Sequence, residues 1–117
     1  MTIERIGLAA RYCDAAIFNG IVFLAGHVAE KTEGASLTEQ TQEVLALLED
    51  TLAQAGSSKE RILSVQIFLT DIGKIGEMNA VWDKWVAKGH SLARATVEAK
   101  LASPGYAIEI TAVAAKG

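Results

Sequence analysis

The chain has one cysteine, few aromatic residues and no surplus of positive charge, and each shortage excludes something. Cys13 alone rules out an internal disulfide, fits a reducing compartment and, with no histidine near it in sequence, reads as an inert thiol. Aromatics make up 6% of the residues, and 11 lysines and arginines face 14 acidic residues, for a net charge of −3. The bases are scattered; Lys59 with Arg61 and Lys84 with Lys88 are the nearest to clusters, and both read as solvated faces. Without a basic stripe or rings to stack bases, nucleic acid is not an expected partner. No apolar run approaches the roughly 18 residues of a membrane span, and residues 1–5 hold no apolar core of signal-peptide length. No membrane partner and a cytoplasmic location are therefore expected. His27 and His90 lie far apart, with no cysteine or carboxylate at metal-ligand spacing, so no metal is assigned. Gly73 and Gly76 frame no lysine-serine pair of the kind that cradles phosphates.

A chain of 117 residues that is 50% hydrophobic can bury one core, so residues 1–117 are read as a single domain. Residues 15–18 and 21–25 flank Asn19-Gly20, a dipeptide suited to the positive φ of a tight hairpin, and residues 2–6 are a candidate for a preceding strand. Ser36-Leu37-Thr38-Glu39 matches a capping box. Leu37, Val44, Leu45, Leu48 and Leu52 then follow a 3.6-residue period up to a stop at Gly56. Residues 63–70 alternate as a third strand, with Leu63, Val65, Ile67 and Leu69 on one side. Ile75, Met78, Val81, Trp82, Trp85 and Val86 form the stripe of a second helix ending near Gly89, with the two tryptophans as core anchors. Strands over 92–100 and 106–114 follow, joined through the turn residues Ser103-Pro104-Gly105. The order is ββαβαββ, an α+β fold with both helices on one face of a sheet.

Arg94 lies in the middle of the fourth of these strands. Alternation places Arg94, Thr96 and Glu98 on one side and Ala93, Ala95, Val97 and Ala99 on the other, which is small enough for helices to pack against. In the last strand, Glu109 and Thr111 alternate with Ile108 and Ile110. Glu109 is therefore expected to share an uncovered polar face with Arg94. A guanidinium keeps its proton and holds its donors in a rigid fork, so it pairs with a carboxylate or phosphate. That partner is either Glu109 or Glu98 of the protein, or a ligand. Neighbouring strands that are apolar on both sides imply cover by other subunits, hence a homo-oligomer with polar clefts between them.

The runs Leu24-Ala25-Gly26-His27-Val28, Arg61-Ile62-Leu63-Ser64-Val65-Gln66-Ile67-Phe68-Leu69, Met78-Asn79-Ala80-Val81-Trp82, Ala93-Arg94-Ala95-Thr96-Val97-Glu98 and Ala107-Ile108-Glu109-Ile110 together resemble the RidA/YjgF family of reactive-intermediate deaminases. The resemblance spans nearly the whole chain. Ala10-Arg11-Tyr12, Trp82-Asp83-Lys84-Trp85 and Gly89-His90 are most similar to the YoaB-like branch. The resemblance implies a chorismate-mutase-like homotrimer with a ligand cleft at each subunit interface. It also implies cofactor-free hydrolysis of enamines or imines such as 2-aminoacrylate and 2-iminopropanoate to a 2-oxo acid and ammonia. By position, Arg94 is implied to grip the substrate carboxylate and Glu109 to orient or deprotonate the attacking water. Tyr12, Ala25, Gly26, Asn79 and Thr96 are implied to border the substrate, Gly26 through its backbone amide. Many family members carry a serine where this chain has Ala25, and a proline where it has Leu92. The alternative function is a 2-oxo acid binding or regulatory trimer with little turnover. A ribonuclease or translation-inhibiting role, ascribed to some relatives, sits poorly with the acidic balance.

Overall fold

Asn19 and Gly20 both take positive φ, 54° and 78°, so strands β2 (Ala15–Phe18) and β3 (Ile21–Leu24) are joined by the two-residue turn that their sequence predicts. The computed structural model describes residues 2–117. The hairpin is extended by β1 (Glu4–Ile6), which pairs β2, and is followed by the two-residue β4 (His27–Val28), an element the sequence reading lacked. Helix α1 (Leu37–Gln54) starts where the capping box places it, with the Glu39 N–H donating to Ser36 Oγ at 3.2 Å. It stops at Gly56, whose φ of 78° takes the left-handed conformation a helix terminus uses. Strand β5 (Ile62–Leu69), helix α2 (Ile75–Trp85), strand β6 (Ala93–Glu98) and strand β7 (Ile108–Ala115) complete the chain.

The strands form one sheet in the order β1-β2-β3-β7-β5-β6, with β4 also paired to β7. β5 and β6 run parallel, as the α2 crossover between them requires, and the other pairs are antiparallel. Both helices cover one face. Leu45, Leu48 and Leu52 of α1 and Met78 of α2 pack there among Val22, Val65, Ile67, Leu69, Ile108 and Ile110, all nearly inaccessible.

Two expectations fail in register. A bulge between Ile62 and Ser64 turns Ile62 into the core and leaves Leu63 half exposed, so Leu63 does not join Val65 and Ile67. The second correction concerns the site. Arg94 lies opposite Val65, Thr96 opposite Ile67 and Glu98 opposite Leu69, so these three polar residues share the helix side of the sheet. Glu109 lies opposite Phe68 and Thr111 opposite Gln66, on the bare side. The physical reason is that β6 is an edge strand. Arg94 and Glu98 reach the rim of the core instead of lying beneath α2, and Glu98 accepts the Ile72 N–H at 3.1 Å in the turn that leads into that helix. The small residues Ala93, Ala95 and Val97 face away from the helices, with Ser64, Gln66, Thr111 and Val113.

No helix among the described residues is long and apolar enough to cross a membrane. The loop ahead of α1 is tied down by Glu43, whose carboxylate accepts the Lys31 N–H at 3.0 Å, the Thr32 N–H at 2.8 Å and the Thr32 hydroxyl at 2.7 Å. Burial alone would raise this carboxyl, but the donors outweigh it and hold the pKa below its ordinary value of 4.5. The clamp therefore stabilises the fold above that value and is lost as the pH falls through the folded one. Glu43→Gln is expected to lower Tm by roughly 2–4 °C at neutral pH. The gap should close in acid, as a pH series of thermal melts would show; a gap independent of pH would refute the ionised clamp.

Candidate active site

Arg94 projects from the rim of the sheet onto α2. Its Nη1 donates to Asn79 Oδ1 at 2.8 Å, and its guanidinium carbon lies 5.3 Å from the centre of the Trp82 ring. Asn79 and Trp82 are three residues apart and so share a helix face. Neither Glu109 nor Glu98 pairs with the arginine: the one ion pair among the described residues is Lys116–Glu4, at 3.7 Å. Arg94 is thus a fixed cation at an exposed rim with no carboxylate partner among the described residues. Thr96 Oγ1, on the same side of β6, is buried with no hydrogen-bond partner.

The second group of predicted residues lies on other elements. Between β3 and β4 one extra residue enters the pairing with β7, because Leu24, Ala25 and Gly26 span the gap that Thr111 and Ala112 span opposite. The Thr111 hydroxyl donates to the Leu24 carbonyl at 2.7 Å and so satisfies a group that the bulge takes out of the ladder. The bulge brings the Gly26 backbone against Glu109, and a Cβ on Gly26 would run into Glu109 Oε2. Any larger residue at this position would make the Glu109 carboxylate swing away from the Gly26 backbone. Tyr12, largely exposed, lines a cavity of about 640 Å³ with Ala25, Gly26, His27, Thr51 and Tyr106. His27 anchors the bulge to α1: Nδ1 lies 2.7 Å from the Ala25 carbonyl oxygen and Nε2 lies 2.8 Å from Thr51 Oγ1. Gln40, fully buried, holds the facing loop by donating to Ala35 and Gly105 carbonyls, both at 3.0 Å, and accepting the Ala107 N–H at 2.9 Å.

The seven predicted residues thus form two groups. Arg94, Asn79 and Thr96 meet at the β6–α2 rim, whereas Glu109, Gly26, Ala25 and Tyr12 gather around the β3–β4 bulge, and within one chain the two carriers of charge sit on opposite faces of the sheet. Trp82 and His27, which the sequence pattern does not assign to the site, each touch one of its groups. The i, i+3 spacing of Trp82 from Asn79 is the one sequence signal that points to it.

The family model described as Endoribonuclease L-PSP matches residues 2–116. The chain belongs to the RidA/YjgF family. A YjgF family protein from Neisseria meningitidis superposes with a TM-score of 0.96 at 45% identity, over 100% of this chain and 97% of that one. A RutC family protein of Haemophilus influenzae is 45% identical over 114 residues, which cover 97% of this chain and 98% of the relative. The RutC family protein YoaB of Escherichia coli is 43% identical over 115 residues, 98% of this chain and 99% of that protein. The resemblance of the YoaB-like motifs thus extends to the whole chain, and the RidA/YjgF fold carries both groups of residues described above.

Proposed function

We propose that this chain is a deaminase of reactive imines and enamines of the 2-iminopropanoate and 2-aminoacrylate type. It acts without a cofactor in the cytoplasm, in clefts formed between subunits of a chorismate-mutase-like homotrimer. The observation that carries this reading is Arg94, which is held by Asn79 and Trp82, exposed, and unmatched by any carboxylate among the described residues. Such a fork suits a ligand carboxylate, gripped in two places. Water adds to the C=N carbon and the carbinolamine expels ammonia, leaving the 2-oxo acid, so that imine plus water gives ketone plus ammonia. Glu109 takes the proton from the attacking water and the departing nitrogen gains one. Tyr12, the Gly26 amide and Thr96 shape the cleft.

Assembly follows from the separation of the two groups. A cleft holding both Arg94 and Glu109 needs the rim of one copy against the bulge of another. The bare sheet face, where Phe18, Phe23 and Val97 are each about half exposed, supplies apolar surface for a second copy to bury. A second reading, a 2-oxo acid binding module with little turnover, is favoured by Ala25, which offers no hydroxyl at the bulge. A nuclease role, which the family model's description raises, finds no basic stripe in a chain of net charge −3. The deciding experiment generates 2-iminopropanoate in situ and follows ammonia and pyruvate. Release faster than the spontaneous reaction is expected. No acceleration with any of several amino-acid-derived imines, together with saturable 2-oxo acid binding, would replace the enzyme by the binding module.

A further inference from the structure

Trp82 is 7% exposed and would pass for a core residue, yet one face of its indole is turned to a guanidinium at the rim of the fold. A single hydrogen bond from Nη1 to Asn79 Oδ1 fixes one point of Arg94 and leaves the plane free to swing about it. The indole face removes that freedom. It does so without using a donor, so four of the five guanidinium N–H groups remain for a ligand. The indole is itself braced. Trp82 packs on Trp85 with ring centres 5.3 Å apart and planes tilted by 48°. The Trp85 indole N–H donates to Glu49 of α1, and the Trp85 carbonyl accepts Lys59 Nζ at 2.7 Å. A continuous side-chain path therefore runs from α1 through Trp85 and Trp82 to the arginine.

We infer that Trp82 is a positioning residue that holds the Arg94 guanidinium in one plane with its fork turned outward, and so sets the affinity of the site for carboxylates. This rests on the reading of Arg94 as the carboxylate anchor. An arginine on an open rim loses rotamer freedom when it grips a ligand, and an indole that has already ordered it lowers that cost. Trp82 touches no substrate atom; it acts through Arg94.

Three measurements test it. Arg94 side-chain NMR signals, assigned by their loss in Arg94→Lys, are expected to show the upfield ring-current shift of a group above an indole. The shift should vanish in Trp82→Leu and return in part in Trp82→Phe. With 2-oxobutanoate as the probe, Kd is expected to weaken about fivefold to tenfold in Trp82→Leu, with kcat for imine hydrolysis much less affected, and to recover in Trp82→Phe. Should Trp82→Leu not fold, the native chain made with fluorinated tryptophans keeps shape and packing while draining the π face, and Kd should rise with each added fluorine. Kd unmoved by fluorination or by a folded Trp82→Leu, with native binding intact, overturns the role of Trp82 alone. A native protein that binds no 2-oxobutanoate overturns the anchor reading itself. Ring-current shifts on Arg94 would then still report whether the indole orders it.

Discussion

Arg94→Ala is expected to lower kcat/KM for 2-iminopropanoate by about a hundredfold to ten-thousandfold, with most of the loss in KM. The size follows from the geometry. Each charge-assisted hydrogen bond to a carboxylate is worth about 1.5–3 kcal/mol, two are lost, and about 1.4 kcal/mol corresponds to a factor of ten. Arg94→Lys is expected to recover little, because an ammonium keeps the charge but cannot offer two parallel donors. Folding should lose only about 1–2 kcal/mol in either variant, since the exposed arginine contributes one hydrogen bond to Asn79 and one ring contact with Trp82. Steady-state kinetics with a thermal melt on the same samples separate the two effects. An Arg94→Ala chain with native kcat/KM would remove the observation on which the proposed function stands.

Glu109→Gln is expected to lower kcat by about a hundredfold or more with KM little changed, because it deletes proton acceptance while keeping the shape that fits against Gly26. The separation of the two charges in one chain makes a sharper test possible. Arg94→Ala and Glu109→Gln proteins, each inactive, should regain activity when unfolded together and reassembled. In a random mixture, about one cleft in four pairs an intact arginine from one copy with an intact glutamate from the next, so recovery to about a quarter of the native rate is expected. No recovery from mixed and correctly assembled protein would place the reaction within a single chain, where these residues do not meet.

The sequence made parity legible and left sidedness open. Alternation correctly grouped Arg94, Thr96 and Glu98, and separately Glu109 with Thr111, but the side each group faces depends on how β6 and β7 register against β5. The alanines of β6 misled because small residues suit a helix contact as well as an exposed face, and an edge strand needs no burial on either side. The hairpin, the cap of α1 and the stripe of α2 were readable because each is local: a turn dipeptide, a Ser-x-x-Glu box and a 3.6-residue period. The contact of Gly26 with Glu109 was not, since it exists only through a bulge formed by residues more than eighty positions from their partners.

The sheet order has a kinetic consequence. β7 is the last strand in sequence, yet it lies between β3 and β5, which reach each other only through it. Until β7 docks, the β1–β3 ribbon and the β5–α2–β6 unit each present an unpaired edge, and the apolar residues of two half-cores face water. Closing the sheet joins segments far apart along the chain, the kind of contact that slows folding most. The interval before that closure is when strand edges of different molecules are most able to pair wrongly. For this chain, misassembly is therefore governed less by the stability of the finished fold than by how quickly its central strand arrives.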